Sequence, residues 1–383
     1  MLKKLSIFSG FKRIITSKKY IPEIDGIRFV AILLVVLYHI SLHVQAKDTH
    51  IYRDQNIRIL LEKFLFNGHL GVQIFFALSG FILSIPFASH FLLASEMPTL
   101  KKFYLRRVTR LEPPYIIMLV ALAPLLFIAH RFSGFVLLKS FFASLTYTHN
   151  FFYPGTVPFI NGVAWSLEVE FQFYLLAPFL AYVFSFQKNI RRPLLVASIL
   201  CLIVLQSFFS VKTTSLYLYL QYFLLGFLFA DFYITKDYKI PQNIFSIPLG
   251  LLSLLSIMLM PHDEALFTKI FLVISISIFF YVALFSSFWK RILSIPFIST
   301  VGGMCYSIYL LHFPIIKIIV EGMGKRLYFS NSFLLNYIII NIFMLIAVLL
   351  ISALFYKKIE RPCMKADWYI VLWNRIRKTN PQS

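Results

Sequence analysis

Long apolar runs separated by short polar and basic stretches organise this chain from one end to the other. Ten of them have about the length, roughly 20 residues, that a helix needs to cross the hydrocarbon layer of a bilayer. They lie at 28 to 46, 69 to 93, 111 to 130, 163 to 186, 193 to 210, 215 to 234, 244 to 260, 266 to 287, 299 to 320 and 333 to 356. Backbone polar groups in lipid must be satisfied within their own segment, so the pattern predicts helices and an all-α, polytopic transmembrane bundle. One stretch departs from it. Residues 131 to 162 hold the apolar run Phe135 to Leu145, too short to span, and then Asn150, Pro154, Gly155 and Pro158, so a re-entrant or interfacial segment is expected there.

Composition agrees with a bilayer as solvent. Of 383 residues, 59% are hydrophobic and 14% charged, and mean hydropathy is +0.78. A soluble domain carries about 45–50% apolar residues. The formal charge of +21 would point to nucleic acid if it formed one patch. Here the basic residues sit between apolar runs, which reads as membrane topology, with no nucleic acid as partner. An even number of spans puts both termini on one side. If that side is cytoplasmic, the inner segments hold most of the 37 lysines and arginines, which sets the expected orientation and opposes nine or eleven spans. Lys3, Lys4, Lys12, Arg13, Lys18 and Lys19 precede the first run without a small-residue cleavage site, so an uncleaved start-transfer helix is expected. The expected organisation is a basic cytoplasmic arm at 1–20, a membrane-embedded domain at 21–364 and a short cytoplasmic tail at 365–383.

Polar residues inside the runs carry the candidate chemistry, because ionisable groups in a membrane are costly. Arg28 and His39 are eleven positions apart, which places them on one helix face about 16 Å from each other along the axis. A guanidinium at the cytoplasmic edge could hold phosphates while an imidazole deeper in the membrane meets an arm hanging from them. On these two residues alone, a snorkelling arginine and a packing histidine is the plainer account. Arg107 and Arg110, three apart, could form a fork for a polyanion, and positive-inside anchoring explains them equally well. In Trp165-Ser166-Leu167-Glu168-Val169-Glu170, the two carboxylates point to nearly opposite faces, so one is expected to reach the interior that holds His39. Glu170, aligned with Tyr174 at i+4, is the choice, against a structural hydrogen bond to another helix. Tyr309 and His312 share a face of the ninth run, where an acceptor contact and a packing histidine are both open readings.

Taken together these residues resemble the acyltransferase family 3 integral membrane proteins. The resemblance rests on Ile24-Asp25-Gly26-Ile27-Arg28, the Arg28 to His39 spacing, Gly71-Val72-Gln73-Ile74-Phe75-Phe76-Ala77-Leu78-Ser79-Gly80-Phe81 and Arg107-x-x-Arg110. It continues through Trp165-Ser166-Leu167 with Glu170 and Phe173-Tyr174, Tyr306-Ser307-Ile308-Tyr309-Leu310-Leu311-His312 and Glu360-Arg361-Pro362, in order from residue 24 to 362. Each motif is weak alone and the set is specific. Gln73 departs from it, standing where the family has an acidic residue; an amide keeps hydrogen bonds but not the charge. The C-terminal esterase-type domain of some members is not seen, so transfer is expected within the membrane domain or through a separate periplasmic partner.

The resemblance implies acyl transfer, commonly acetyl from cytoplasmic acetyl-CoA, to a hydroxyl of a cell-surface polysaccharide or its lipid-linked precursor, in the inner membrane of a bacterium. Arg28, Arg107 and Arg110 would hold the phosphates of the acyl-CoA. His39 would act as general base with a neighbouring carboxylate, Glu170, or would itself be acylated first. Asp25, Ser79, Trp165, Tyr174, Tyr309 and His312 would support the site or face the acceptor. No nucleotide-loop or metal motif is present, and Cys201, Cys305 and Cys363 are scattered, so no bound cofactor and no metal are expected beyond acyl-CoA as donor. A glycan or solute exporter is the competing reading. It predicts internal repeats and matched broken helices, which the sequence does not show. His43 and Asp48 match an H-x4-D pattern of soluble-face acyltransferases, but on the side of the membrane away from acyl-CoA.

Overall fold

A proline at the first helical turn and two acidic residues beside it start the first helix, α1, Pro22–Gln45: Pro22 presets the backbone, and Glu23 and Asp25 suit the positive end of the helix. In the computed structural model the described residues are 10–11, 13–14, 20–48, 52–209, 211–240, 242–261, 263, 265–365 and 368–369. Lys3, Lys4, Lys12, Lys18 and Lys19 of the basic arm, and nearly all of the C-terminal tail, lie outside them.

The described residues form helices and no strand. After α1, α2 (Gln55–Phe66) passes through a tight turn into α3 (Gly71–Leu93), followed by α4 (Leu100–Ile128), α5 (Gly134–Leu145) and the single turn α6 (His149–Phe152). Next come α7 (Trp165–Leu180), α8 (Lys188–Phe208), α9 (Leu220–Thr235), α10 (Asn243–Met258) and α11 (Leu266–Phe285). Two short helices, α12 (Ser287–Leu293) and α13 (Pro296–Gly303), lead to α14 (Cys305–Met323) and α15 (Phe333–Phe355). A wide turn at Tyr356–Glu360 then enters α16 (Arg361–Cys363).

Each of the ten expected spans falls on a helix, but they are not equivalent. Eight helical segments are long and apolar enough to cross a membrane. The other two, α9 and α10, have 16 residues each. That is about 24 Å, short of a hydrocarbon layer of about 30 Å. Polar turns at Ser215 and Lys236 and at Gln242 stop them, where hydropathy alone runs on. α5 is likewise an apolar helix of 12 residues, in line with a segment too short to span.

α4 begins at Leu100, well before the apolar run at 111, so Arg107 and Arg110 stand on helix and not in a loop. It runs through Pro113 and Pro114. A proline lacks the N–H that would reach the carbonyl four residues back. For Pro113 that carbonyl belongs to Thr109, and the Trp368 indole donates to it at 3.0 Å.

α1 is the axis of the bundle, packed against α3, α13 and α14. Bare backbone makes the α13 contact possible, since a Cβ on Gly302 would overlap the Asp25 carbonyl oxygen. Gly302→Ala is therefore expected to force α13 off α1. Overpacking of this kind costs about 1–3 kcal/mol, read as a lower thermal unfolding midpoint of the purified protein. An unchanged midpoint would show that the crossing is looser than described. Elsewhere α3 packs closely along α9, where Phe223 stacks on Phe76 at 4.8 Å and on Phe173 at 4.0 Å.

Candidate functional site

Two clusters of polar side chains occupy the two ends of α1. At its N-terminal end, Asp25 is 1% exposed and gathers three partners. Arg28, one turn on, forms an ion pair with it; Arg13, from the N-terminal arm, reaches its Oδ1 at 3.1 Å; and the Tyr20 hydroxyl donates to Oδ2 at 3.0 Å. A buried carboxylate needs such company, because an unpaired charge out of water is costly. Arg110 lies close enough to act on the charge of Arg13, and so does Arg28. Burial and these two neighbours push the Arg13 guanidinium down to about 9. Burial and Asp25 push the Tyr20 hydroxyl up to about 12.

The far wall of this cluster is Glu360, fully buried in the wide turn after α15. It accepts from the Ser307 amide at 3.0 Å and from the Ser307 hydroxyl at 2.5 Å, and Arg110 and Arg13 are cations close enough to act on it. Its other oxygen, Oε1, and the Nε groups of Arg110 and Arg107 are buried with no partner. Buried polar atoms are nearly always paired, so orphans concentrated here are unusual.

Arg107 faces α7. Its guanidinium donates to the Phe103 carbonyl, lies 3.6 Å from the centre of the Phe103 ring and 5.7 Å from that of Tyr174. Glu170 stands beyond it, accepting from the Ser79 hydroxyl at 2.5 Å and hydrogen-bonded to Tyr174. Arg107, Glu170 and Tyr174 line a narrow cleft with Tyr104, Glu112 and Tyr147. Glu168, two residues away, turns to the other side and accepts from the Asn150 amide at 3.2 Å. The two carboxylates therefore face different partners, as a two-residue spacing on a helix dictates.

The second cluster lies about 16 Å along α1. His39 Nδ1 is 2.8 Å from the Val35 carbonyl and 3.3 Å from Nε2 of His312, and the two rings stand 4.9 Å apart at 66°. His312, fully buried on α14, has its own Nδ1 3.0 Å from the Ile308 carbonyl. Carbonyl oxygens only accept, so both Nδ1 atoms carry hydrogen in the neutral rings. His312 Nε2 is then a lone pair that shares the His39 Nδ1–H, and His39 Nε2 is left as a lone pair. Rings enclose the pair: Tyr38 at 4.8 Å and Phe313 at 5.5 Å from His39, with His43 on Phe313 at 5.0 Å.

The chain between α6 and α7 is latched to α14 beside this pair. Tyr309 donates to the Val163 carbonyl at 2.5 Å and lies 3.0 Å from the Ser166 hydroxyl. Pro314 leaves the Leu310 carbonyl without its helical donor, and Asn161 Nδ2 supplies one at 2.9 Å. Trp165 packs on Phe76 and Tyr219 rather than on either cluster.

The structure thus brings His39 to His312 and brings Asp25, Arg28 and Arg110 together. It does not put Glu170 beside His39: the groups around that imidazole are the Val35 carbonyl, His312, Tyr38 and Phe313, and Glu170 lies with Ser79, Tyr174 and Arg107. Gln73 presents a buried, unpartnered Oε1. Sequence reasoning passed over Arg13 because basic residues before a first span read as topology. The pairing of His39 with His312, from helices 273 residues apart, had no signal in spacing. Among the described residues, no group of three His, Cys, Asp or Glu side chains could hold a metal ion.

Comparison with known proteins bears on the chemistry. The acyltransferase domain family matches residues 21–357. Among curated proteins the chain is similar to O-acetyltransferase OatA of Staphylococcus aureus, strain NCTC 8325 / PS 47, at 26% identity over 387 residues, covering 93% of this chain and 59% of that one. The protein of the same name from strain MW2 matches to the same extent. The chain therefore spans less than two thirds of the length of these relatives. No solved structure matches it.

Proposed function

The chain belongs to the acyltransferase domain family, and on that premise we propose that it transfers an acyl group, acetyl first among them, from cytoplasmic acyl-CoA to a hydroxyl of a cell-surface polysaccharide or its lipid-linked precursor, in a bacterial inner membrane. The observation that carries this reading is the arrangement along α1, with arginines at one end and an imidazole bearing an outward lone pair at the other. Arg28, Arg107 and Arg110 would take the donor's phosphates, since guanidinium forks suit phosphate oxygens. The thioester arm would then extend along α1 towards His39. The relatives named O-acetyltransferases support acetyl as the group and oxygen as the acceptor.

The proposed step is direct. His39 Nε2 takes the proton of the acceptor hydroxyl as its oxygen bonds to the thioester carbonyl carbon. The carbon–sulfur bond breaks, and the departing thiolate receives the proton from the imidazolium, leaving an O-ester and free CoA. Rather than touching the base, Glu170 would hold Tyr174 and Ser79 around Arg107 on the donor side.

The test uses membrane vesicles containing the protein and its native glycan, given acetyl-CoA labelled in the acetyl group. The label is expected on glycan as an ester released by mild base, with one CoA freed per label. Intact acetyl-CoA and unlabelled glycan would overturn the proposal.

A further inference from the structure

We infer that the N-terminal arm completes the acyl donor's phosphate site, with Arg13 as a further binding residue inserted from outside the membrane domain; the inference rests on the acyl-CoA reading above.

Four observations carry it. Arg13 is anchored in place, because its neighbours Phe11 and Ile14 pack into the core cluster formed by α1, α14 and α15, and Lys357 lies 5.8 Å from the centre of the Phe11 ring. It sits against α13: a Cβ on Gly303 would lie at ordinary contact distance from both, 3.7 Å from the Arg13 Cβ and 3.9 Å from Asp25 Oδ2, so the two residues meet beside one point of that helix. Third, Arg13 is held among like charges. Arg28 and Arg110 both act on it, and the carboxylates that face the three arginines are Asp25, Glu360 and, towards Arg28, Glu170. Finally, the cluster has an unfilled donor, since the Nε group of Arg110 is buried with no acceptor.

A structural ion pair between Arg13 and Asp25 accounts for the 3.1 Å contact and nothing else. Asp25 already has the Arg28 guanidinium and the Tyr20 hydroxyl, so a second cation is more than its single charge needs. Bringing Arg13, Arg28 and Arg110 near one another costs Coulomb energy, which an anion of higher charge joining them would offset. A pyrophosphate or a sugar phosphate supplies that charge together with several acceptor oxygens. Arg13 would then exchange part of its hold on Asp25 for a phosphate oxygen, and the arm would be ordered most firmly with donor bound.

The experiment measures CoA affinity of the full-length protein in lipid nanodiscs, by titration calorimetry at several salt concentrations. Arg13→Gln keeps length and loses charge; it is expected to weaken CoA about tenfold, the effect of one charge-assisted hydrogen bond, and to make affinity less dependent on salt. Arg13→Lys should fall between the two, because a point charge remains but the fork is lost. Arg131→Ala, whose partner Glu321 lies beyond the opposite end of α4, should match wild type. If wild type binds CoA and Arg28→Ala weakens it while Arg13→Gln and Arg13→Lys keep wild-type affinity and salt dependence, the inference is wrong and the donor reading stands. If wild type itself binds no CoA, the donor reading has failed first.

Discussion

Replacing His39 with alanine is expected to reduce glycan acylation by about two to four orders of magnitude, the range for removal of a positioned general base, while CoA still binds with wild-type affinity. The two halves of this expectation follow from one geometry. His39 is the only group of the pair whose Nε2 lone pair is not committed, since His312 Nε2 accepts from His39 Nδ1–H. Arg28 lies about 16 Å away on the same helix, and Arg107 and Arg110 stand on α4, too far for the substitution to alter them. His39→Gln is the sharper variant, because it fills most of the volume but presents no basic nitrogen. Acylation would be followed by mass spectrometry of surface glycan, and donor binding by titration. Acylation above a tenth of wild type in both variants would remove His39 from the chemistry. Loss of CoA binding together with loss of acylation would mean that the substitution had disturbed the bundle.

How far the sequence led can be traced residue by residue. All ten apolar runs became helices because hydropathy and the demand for internal hydrogen bonds act locally. What the runs could not show was where polar turns cut α9 and α10 to 16 residues. Arg28 and His39 share a helix, so their separation was arithmetic. The partners of each are tertiary. Arg13 meets Asp25, twelve residues on, beside Gly303, a contact with no periodic signature. Of the two carboxylates, Glu168 turns to Asn150 and Glu170 to Ser79, Tyr174 and Arg107, so the interior that Glu170 reaches holds Arg107 and not His39. Two helix carbonyls freed by prolines, Thr109 and Leu310, are met by Trp368 and Asn161. Sequence could say that those carbonyls would need donors, and only the fold could say which.

The second large effect is expected at His312, which the geometry makes a positioning residue. In serine-hydrolase triads a carboxylate accepts the Nδ1–H of the basic histidine and stabilises the imidazolium as it forms. Here a neutral imidazole occupies that place, and Val35 supplies a second acceptor. Loss of His312 should therefore leave the His39 tautomer largely intact and remove stabilisation of the charged ring. A hydrogen bond to a charged group contributes about 1.5–3 kcal/mol, so turnover should fall by roughly ten- to a hundredfold, with KM for acyl-CoA unchanged. His312→Phe keeps the ring and deletes the acceptor, and should show the full loss. His312→Gln returns an acceptor oxygen near the position of Nε2 and should recover part of the rate. The contrast between the two variants decides the role, since both disturb packing to a similar degree. Equal, wild-type turnover in both would reduce His312 to a packing residue. Equal inactivity in both, with folding intact, would instead mean that its ring nitrogen itself exchanges a proton or an acyl group, and the division of labour between the two histidines would have to be redrawn.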